Sequence, residues 1–353
     1  MAVLDYHVGV LCPSLENCVI SLLPEQYDFA DIQLQPRVSL SDVASRAEIN
    51  LEIDGAVPII VANMDTIGTF EIAKILAPER LMVAILKDFS ADEWKQALDE
   101  GGLDARLLIP TLGLRGLDEE IQRVRQIIVH APQVRMVCLD VANGYLKSVA
   151  EAVRKIKDAF PDLLVCAGNV VGVDGLEHLA RAGADVVKVG IGSGGVCITR
   201  KMTGIGRPQF SAIHNMAQAA QDIGVQLVSD GGMTDPGAAV KAFAAGASYV
   251  MAGSYFAGHE ETGTRFHGMS SDRSRQDRGE GVAGYRASEG REVILAPKGS
   301  LGHTVRGLLG GLRSACTYLG VKSLTELREA NLQAVVVRRQ LNRIEGIAIE
   351  DHG

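Results

Sequence analysis

A single cysteine in a glycine-rich loop is the residue of this sequence best suited to covalent chemistry. Cys197 lies in the stretch "KVGIGSGGVCITRKMTGIGRPQ", which starts at Lys188 and follows an apolar run. A thiolate becomes a strong nucleophile when nearby donors or positive charges stabilise it, and Thr199, Arg200 and Lys201 follow within four residues. Free cysteine is also a common core residue. Three interpretations therefore stay open: a nucleophile, a packing residue, or an incidental member of a ligand-binding loop.

The glycines of the same loop allow close approach of the backbone to a ligand or an ion. They stand at positions 190, 192, 194 and 195, so that backbone amide and carbonyl groups can turn toward the bound group. The loop lacks the G-x-x-x-x-G-K-[ST] pattern of a P-loop, and its spacing does not fit G-x-G-x-x-G at the start of a helix. Neither nucleotide-binding fingerprint is supported.

Eight short, apolar, β-branched runs are the elements that must position these residues. They are separated by segments with helical periodicity, such as residues 91–98 and 149–160. Continuous apolar runs are typical of parallel strands covered on both faces, and their number indicates a (β/α)8 TIM barrel; a doubly wound sheet would give the same alternation. The runs begin at Pro58, Leu81, Ala105, Val134, Leu163, Asp185, Val225 and Ser248.

In a parallel barrel the functional face is formed by the carboxyl ends of the strands. The unusual residues of this sequence fall at those ends: Asp140, Ala142, Asn143, Asn169, Cys197, Asp230, Gly231, Gly232, Gly253 and Ser254. We predict an N-terminal extension over residues 1–57 that packs on the barrel, a barrel over 58–320, and a C-terminal helical tail over 321–353. A long polar loop after strand eight, within residues 258–296, is predicted to be a lid.

Composition excludes several classes of partner. The chain has 353 residues, 47% of them hydrophobic, with a formal net charge of −8 and a pI near 5.6, which argues against nucleic acid or an anionic membrane as partner. Residues 8–23 are apolar but interrupted, and no basic segment precedes them, so neither a signal peptide nor a spanning helix fits. The six cysteines include no C-x-x-C pair. We expect a cytoplasmic protein with reduced thiols and a small-molecule ligand.

The loop around Cys197 resembles the "GIGxGxxCxT" loop of IMP dehydrogenases and GMP reductases, and the sequence is identified as a member of that family. Features of the reductase branch are "GYRASEG" from Gly284, "LGGLRSACTYLG" from Leu309, and Arg200 directly after "CIT". The Arg-Tyr flap pair and the regulatory insert typical of the dehydrogenases do not appear. Further family blocks are "VANMDTIGTFEIA" from Val61, "DVANGY" from Asp140, "AGNVV" from Ala167, "SDGGMTDPG" from Ser229, "VKAFAAGA" from Val240 and "GMSSD" from Gly268.

The resemblance implies a reaction and a set of catalytic residues. GMP reductases attack purine C2 of GMP with a cysteine thiolate, release ammonia, and reduce the resulting thioimidate with NADPH to give IMP. Cys197 is then the nucleophile, and Thr199 with Glu289 forms the proton relay that makes ammonia a competent leaving group. Asp230 is the expected ribose anchor, although a helix-capping aspartate would look the same in sequence.

The resemblance also implies binding residues and an assembly. Backbone carbonyls of Gly192, Gly194 and Cys197 align with a potassium site, for which a water-satisfied glycine turn is the alternative. Family members form homotetramers. The substrate residues are Asp230, Gly231, Gly232, Gly253, Ser254, Gly268, Met269, Ser270, Arg286, Ala287, Ser288 and Gly290. The NADPH residues are Lys87, Asp140, Val141, Ala142, Met269, Tyr285, Arg286, Ser314 and Thr317.

Four segments depart from the pattern of the reductases, and all lie on the expected cofactor and lid side. They are "LKDF" from Leu86, "PTLG" from Pro110, Gly172 after "AGNVV", and "APKG" from Ala296. The departures motivate an alternative substrate, a modified guanine nucleotide such as a 7-deazaguanine monophosphate. IMP dehydrogenase activity and a nucleotide-binding regulator without catalysis are the remaining alternatives.

Overall fold

The eight apolar runs form one closed, parallel β-barrel. The computed structural model describes residues 24–38, 45–277 and 287–337. Each barrel strand pairs with the next, and the last pairs with the first, which confirms the (β/α)8 barrel and rules out the doubly wound sheet. The barrel strands are β2 (Val57–Val61), β3 (Leu81–Ile85), β4 (Leu108–Leu112), β5 (Met136–Leu139), β6 (Leu164–Val170), β7 (Val186–Val189), β8 (Gln226–Asp230) and β9 (Tyr249–Ala252).

Helices between the strands cover the outside of the barrel and explain the continuous apolar runs. Every residue of β2, β3, β4 and β5 is buried, because one face packs into the barrel interior and the other against helices. The helices are α1 (Phe70–Leu76), α2 (Ala91–Asp99), α3 (Leu117–His130), α4 (Lys147–Ala159), α5 (Val173–Ala180), α6 (Thr199–Thr203), α7 (Gln209–Ile223) and α8 (Pro236–Ala244).

Segments outside the barrel strands form two small antiparallel sheets. Strand β1 (Ile32–Leu34) pairs with β12 (Ala334–Val336), which joins the described part of the N-terminal extension to the end of the described chain. Strand β10 (Arg265–His267) pairs with β11 (Glu292–Ile294) inside the predicted lid. The remaining helices are α9 (Asp272–Asp277), α10 (Leu301–Leu319) and α11 (Leu324–Glu329).

The predicted division into extension, barrel and tail stays a prediction. Phe29 and Ile32 of the extension are buried. Of the predicted helical tail, the described part holds helix α11 and strand β12, and residues 338–353 lie outside the described residues. Among the three described ranges, no helix is both long and apolar enough to cross a membrane.

Candidate active site

A cavity of about 260 Å³ opens at the carboxyl ends of the barrel strands. Its walls come from the loops after β2, β5, β6, β7, β8 and β9 and from both sides of the lid. Ligand pockets of about 300–1,000 Å³ are common, so this cavity is near the lower limit for a nucleotide-sized ligand. The predicted site residues that line it are Asp140, Val141, Ala142, Gly192, Gly194, Cys197, Thr199, Asp230, Gly231, Gly232, Gly253, Ser254, Gly268, Met269, Ser270, Glu289 and Gly290.

Three side chains at the cavity form a continuous chain of hydrogen bonds. The Cys197 thiol donates to Thr199 Oγ1 over 3.2 Å, and the Thr199 hydroxyl donates to Glu289 Oε2 over 2.9 Å. Both distances permit proton transfer from one group to the next. The structure thus brings the sulfur and a carboxylate together through one hydroxyl, although ninety residues separate Thr199 from Glu289.

Backbone hydrogen bonds between the lid and the loop that carries Cys197 hold these three side chains in place. Residues 289–291 of the lid run antiparallel to residues 196–198 of the loop: the Ile198 amide donates to Glu289 O over 2.8 Å, and the Arg291 amide donates to Val196 O over 3.0 Å. A Cβ at Gly290 would lie 3.1 Å from Gly268 Cα, so the lid packs closely on itself beside the cysteine. Glu289 therefore reaches Thr199 from a paired strand.

Asp230 ends strand β8 at the cavity wall, where neighbouring residues fix its orientation. Asn169 Nδ2 donates to Asp230 Oδ2 over 2.9 Å and to the Gly190 carbonyl over 2.8 Å. Lys188 Nζ lies 3.5 Å from the same carboxylate oxygen. These two groups on Oδ2 hold the carboxylate in one orientation at the cavity wall. The capping interpretation of Asp230 is not needed, because Asp235 caps helix α8 by accepting the Ala238 amide.

A second carboxylate, Asp140, lies on the opposite side of the same lysine. Lys188 Nζ is 2.9 Å from Asp140 Oδ1, and Asn63 hydrogen-bonds to the Asp140 side chain. Burial alone would raise the pKa of Asp140, but the Lys188 charge and the Asn63 hydrogen bond more than offset it and hold that pKa below its usual range. Asp140 is therefore ionised at neutral pH.

The positive charges next to the cysteine in sequence do not stabilise its sulfur directly. Arg200 Nη1 lies 3.2 Å from Asp28 Oδ2, and its Nη2 donates to the Arg207 carbonyl. Lys201 is exposed on helix α6. The expectation that these two residues supply the stabilising charge is not met by the geometry. Arg200 instead joins the catalytic loop to the N-terminal extension.

The remaining predicted residues lie away from the cavity lining or outside the described chain. Ala287 is exposed, Ser288 donates to the Gly290 carbonyl over 2.8 Å, and Lys87 is close enough to Asp140 to lower its pKa further. Ser314 and Thr317 lie on α10, where the Thr317 hydroxyl donates to the Ser314 carbonyl over 2.6 Å. Tyr285 and Arg286 lie outside the described residues.

The lining also contains residues that the sequence interpretation did not assign. Asn63, Asn169 and Lys188 all line the cavity and connect the two aspartates. A lysine inside the otherwise apolar strand "VVKV" was the available signal, because buried lysines are rare unless they are paired. Within the described ranges, no group of three or more His, Cys, Asp or Glu side chains could hold a metal ion.

Comparison with known proteins identifies the family of this chain. The model of the IMP dehydrogenase / GMP reductase domain matches residues 26–345. The chain belongs to this family. GMP reductases of Shigella flexneri, Citrobacter koseri and Escherichia coli are each 41% identical to it over 338 residues, which is 90% of this chain and 96% of the relative. This member of the IMP dehydrogenase/GMP reductase family is an oxidoreductase of purine nucleotide metabolism, and the family implies a nicotinamide cofactor.

We predict that Gly190→Ala is strongly destabilising in this family member. A Cβ at Gly190 would lie 2.0 Å from the Asp230 carbonyl oxygen, and φ is +151°. Steric overlap and backbone strain together are expected to lower the free energy of unfolding by about 4 kcal/mol. Urea unfolding measures the change. Gly224→Ala is the matched control, since Gly224 also has positive φ, +80°, but no atom within 4 Å, and about 1–2 kcal/mol is expected. Equal losses in the two variants would contradict the prediction.

Proposed function

We propose that this chain catalyses the NADPH-dependent reductive deamination of GMP to IMP and ammonia through a thioimidate on Cys197. The observation that carries the proposal is the hydrogen-bonded chain Cys197–Thr199–Glu289 at a cavity that also presents the Asp230 carboxylate. The 41% identity to proteins named GMP reductase supports the same substrate.

The geometry suits the covalent steps. The Cys197 thiol loses its proton along the chain to Glu289, and the sulfur adds to purine C2. The proton then returns to the exocyclic amine, so the C2–N bond breaks and ammonia leaves. When bound, the reduced nicotinamide supplies the hydride that C2 requires. Breaking the C–S bond releases IMP and the thiolate, and one proton from solvent, returned along Glu289 and Thr199, restores the thiol, so atoms and electrons balance.

Nucleotide binding is assigned to the loops after β7, β8 and β9. The Asp230 carboxylate, which Asn169 holds in place, accepts from the ribose 2′ and 3′ hydroxyls. The phosphate is assigned to the place where these loops approach each other, since a Cβ at Gly195 would lie 3.1 Å from Ser254 Oγ. This is the usual position of a phosphate in such barrels.

We predict that Asp230→Asn raises KM for GMP by about tenfold and leaves kcat within about threefold. The amide keeps a similar shape, but it loses the charge that strengthens both ribose hydrogen bonds. Steady-state kinetics with GMP and with 2′-deoxy-GMP measure the effect. The wild type is expected to discriminate strongly between the two nucleotides and the variant weakly. Unchanged discrimination would contradict the assignment of Asp230 to the ribose.

The residues at the cofactor side fit a nicotinamide dinucleotide. Asp140 is 32% exposed and ionised, Ala142 is a small exposed residue beside it, and Lys87 adds a positive charge near the cavity mouth. Val141 and Met269 line the same cavity as Cys197. We assign NADPH to this side, where Met269 of the lid would help to hold it.

Ser314 and Thr317 do not line the cavity of their own chain. Helix α10, which carries them, packs on α8 at the outside of the barrel, and Tyr318 beside them is 64% exposed. A role for these residues at a cofactor therefore requires a neighbouring copy of the chain. We propose a homotetramer in the cytoplasm in which α10 faces the cavity of a neighbour, and sedimentation together with kinetics of Ser314→Trp tests it.

The potassium assignment stays a proposal based on the carbonyl groups of Gly192, Gly194 and Cys197. The Gly194 carbonyl accepts the Cys197 amide over 3.0 Å, which by itself closes a glycine turn. A carbonyl has a second lone pair, so the donor set also fits a monovalent cation. Activity in potassium chloride against an equal concentration of choline chloride separates the two interpretations.

A single assay tests the reaction. The protein is incubated with GMP and NADPH, absorbance is followed at the reduced-nicotinamide band, and released ammonia is measured. Equal amounts of consumed NADPH and released ammonia support the proposal. Faster turnover on a 7-deazaguanine monophosphate than on GMP favours the modified substrate, which the departures beside Lys87 motivate. In a separate incubation with IMP and NAD⁺, formation of NADH identifies a dehydrogenase, and binding of GMP without any turnover identifies a regulator.

A further inference from the structure

Lys188 is a buried ammonium group between the two aspartates of the cavity. Its side chain is 2% exposed, and Nζ lies 2.9 Å from Asp140 Oδ1 and 3.5 Å from Asp230 Oδ2. Asp140 belongs to the side assigned to the cofactor and Asp230 to the side assigned to the ribose. One ammonium group thus contacts both the carboxylate on the cofactor side and the carboxylate on the ribose side.

The site is built around this side chain. Strand β6 makes room for Lys188 with a glycine, because a Cβ at Gly168 would lie 2.6 Å from Lys188 Cβ. Asn63 hydrogen-bonds to the Asp140 side chain, and Asn169 donates to Asp230 Oδ2, the oxygen that Lys188 also faces. Each carboxylate is therefore oriented by a neutral amide together with the shared ammonium.

The charged forms stabilise each other. Burial lowers the pKa of Lys188, but Asp140 outweighs this effect, with smaller contributions from Cys138, Asp230 and Cys166, and the pKa stays well above its ordinary value. A hydrogen bond with Cys138 and burial raise the pKa of the Cys166 thiol. The charged groups that face Nζ are therefore the two aspartates, and Lys87 acts on Asp140 from the loop after β3.

We propose that Lys188 is a positioning residue that keeps Asp140 and Asp230 both ionised and correctly oriented, and thereby links nucleotide affinity to the cofactor side of the cavity. The proposal rests on the proposed function, because it takes a purine nucleotide as the ligand of Asp230. Without the ammonium, the two partly exposed carboxylates lose the positive charge that both of them contact, and the repulsion between their like charges favours uptake of a proton. That proton reduces the ability of Asp230 to accept from the ribose.

The test compares three proteins: the wild type, Lys188→Met, and Lys188→Met/Asp140→Asn. Calorimetry measures the affinity for GMP from pH 6 to pH 8.5, and each variant's affinity is divided by that of the wild type at the same pH. In this ratio, the effect of phosphate protonation on GMP affinity cancels, because it is the same for both proteins. For Lys188→Met we expect the quotient to fall as pH falls, by up to about tenfold per pH unit, since one proton is linked to binding.

The double variant distinguishes a charge effect from a packing effect. Asp140→Asn removes the second carboxylate, so Asp230 stays ionised although Lys188 is absent. We expect the double variant to bind GMP about tenfold more tightly than Lys188→Met at pH 6, with a quotient that no longer depends on pH. A pH-independent quotient for Lys188→Met, or a double variant no better than the single one, overturns the proposal.

A measurement on the wild type keeps the proposal testable if Lys188→Met does not fold. GMP binding is repeated at pH 7.5 in buffers with different ionisation enthalpies, which gives the number of protons taken up. Two carboxylates already ionised require no proton change, whereas uptake or release of about one proton overturns the proposal. Absence of GMP binding by the wild type would refute the proposed function instead, so the two failures are distinguishable.

Discussion

Cys197→Ala is expected to reduce kcat by at least about 10⁴-fold while the protein stays folded and binds GMP. The alanine removes the sulfur that forms the bond to purine C2, and no other thiol in the described part of the chain lines the cavity. Because the nucleotide contacts of Asp230 do not involve Cys197, affinity is expected to change little. The rate is measured as NADPH oxidation, and affinity is measured by calorimetry.

A control cysteine separates this effect from general disturbance of the thiols. Cys316 is buried in α10, and burial raises its pKa to about 11, so it is not a nucleophile at neutral pH. Cys316→Ala is expected to retain turnover. Mass spectrometry of the wild type quenched during turnover is expected to show the nucleotide adduct on Cys197. Turnover by Cys197→Ala at a wild-type rate would remove the basis of the mechanism.

Glu289→Gln is expected to lower kcat by about 10²–10⁴-fold, with a smaller change in KM. The glutamine amide oxygen still accepts from Thr199, so the geometry at 2.9 Å is kept, but the group no longer takes up or returns a proton. Ammonia loss then lacks its proton. Steady-state kinetics and single-turnover measurement of ammonia release detect the change.

Glu292→Gln is the matched control for this substitution. Glu292 lies three residues further along the same arm of the lid, its side chain is 38% exposed, and its nearest cation, Arg265, is 3.8 Å away at the surface. Such exposed pairs contribute little, so kcat within about twofold of the wild type is expected. A comparable loss in both variants would assign the Glu289 effect to the lid strand and not to proton transfer.

The eight parallel strands were predictable because each has a recognisable apolar pattern, whereas closure into a barrel needed their number and the pairing of the last strand with the first. A run such as "LMVAI", residues 81–85, is apolar throughout, and only a parallel strand between a packed interior and a layer of helices needs that pattern. All eight predicted strands are confirmed, although residues 105–107 of the third run form a short 3-10 helix before β4 begins. The pairing of β1 with β12 had no such signal, since each strand has three residues.

Site residues that belong to family motifs were predictable from the sequence, whereas the side-chain contacts between residues of the site were not. Cys197, Thr199 and Glu289 were chosen from motifs, and the structure brings them together. The Lys188 contacts could not be derived, because a strand pattern does not tell which buried side chain of β7 reaches two carboxylates at the ends of β5 and β8. Arg200 was one candidate source of positive charge for the sulfur because of its position in sequence, but its guanidinium pairs with Asp28 of the extension.

Because residues 289–291 pair with residues 196–198, proton transfer from Cys197 to Glu289 depends on the backbone conformation of the lid. Glu289 contacts Thr199 only while the Ile198 amide is bound to the Glu289 carbonyl and the two segments stay aligned. Any displacement that admits bulk solvent along this seam also separates the carboxylate from the hydroxyl. A nucleotide still bonded to the sulfur then has no carboxylate at Thr199 to take a proton from an attacking water, which limits wasteful hydrolysis of the half-processed nucleotide.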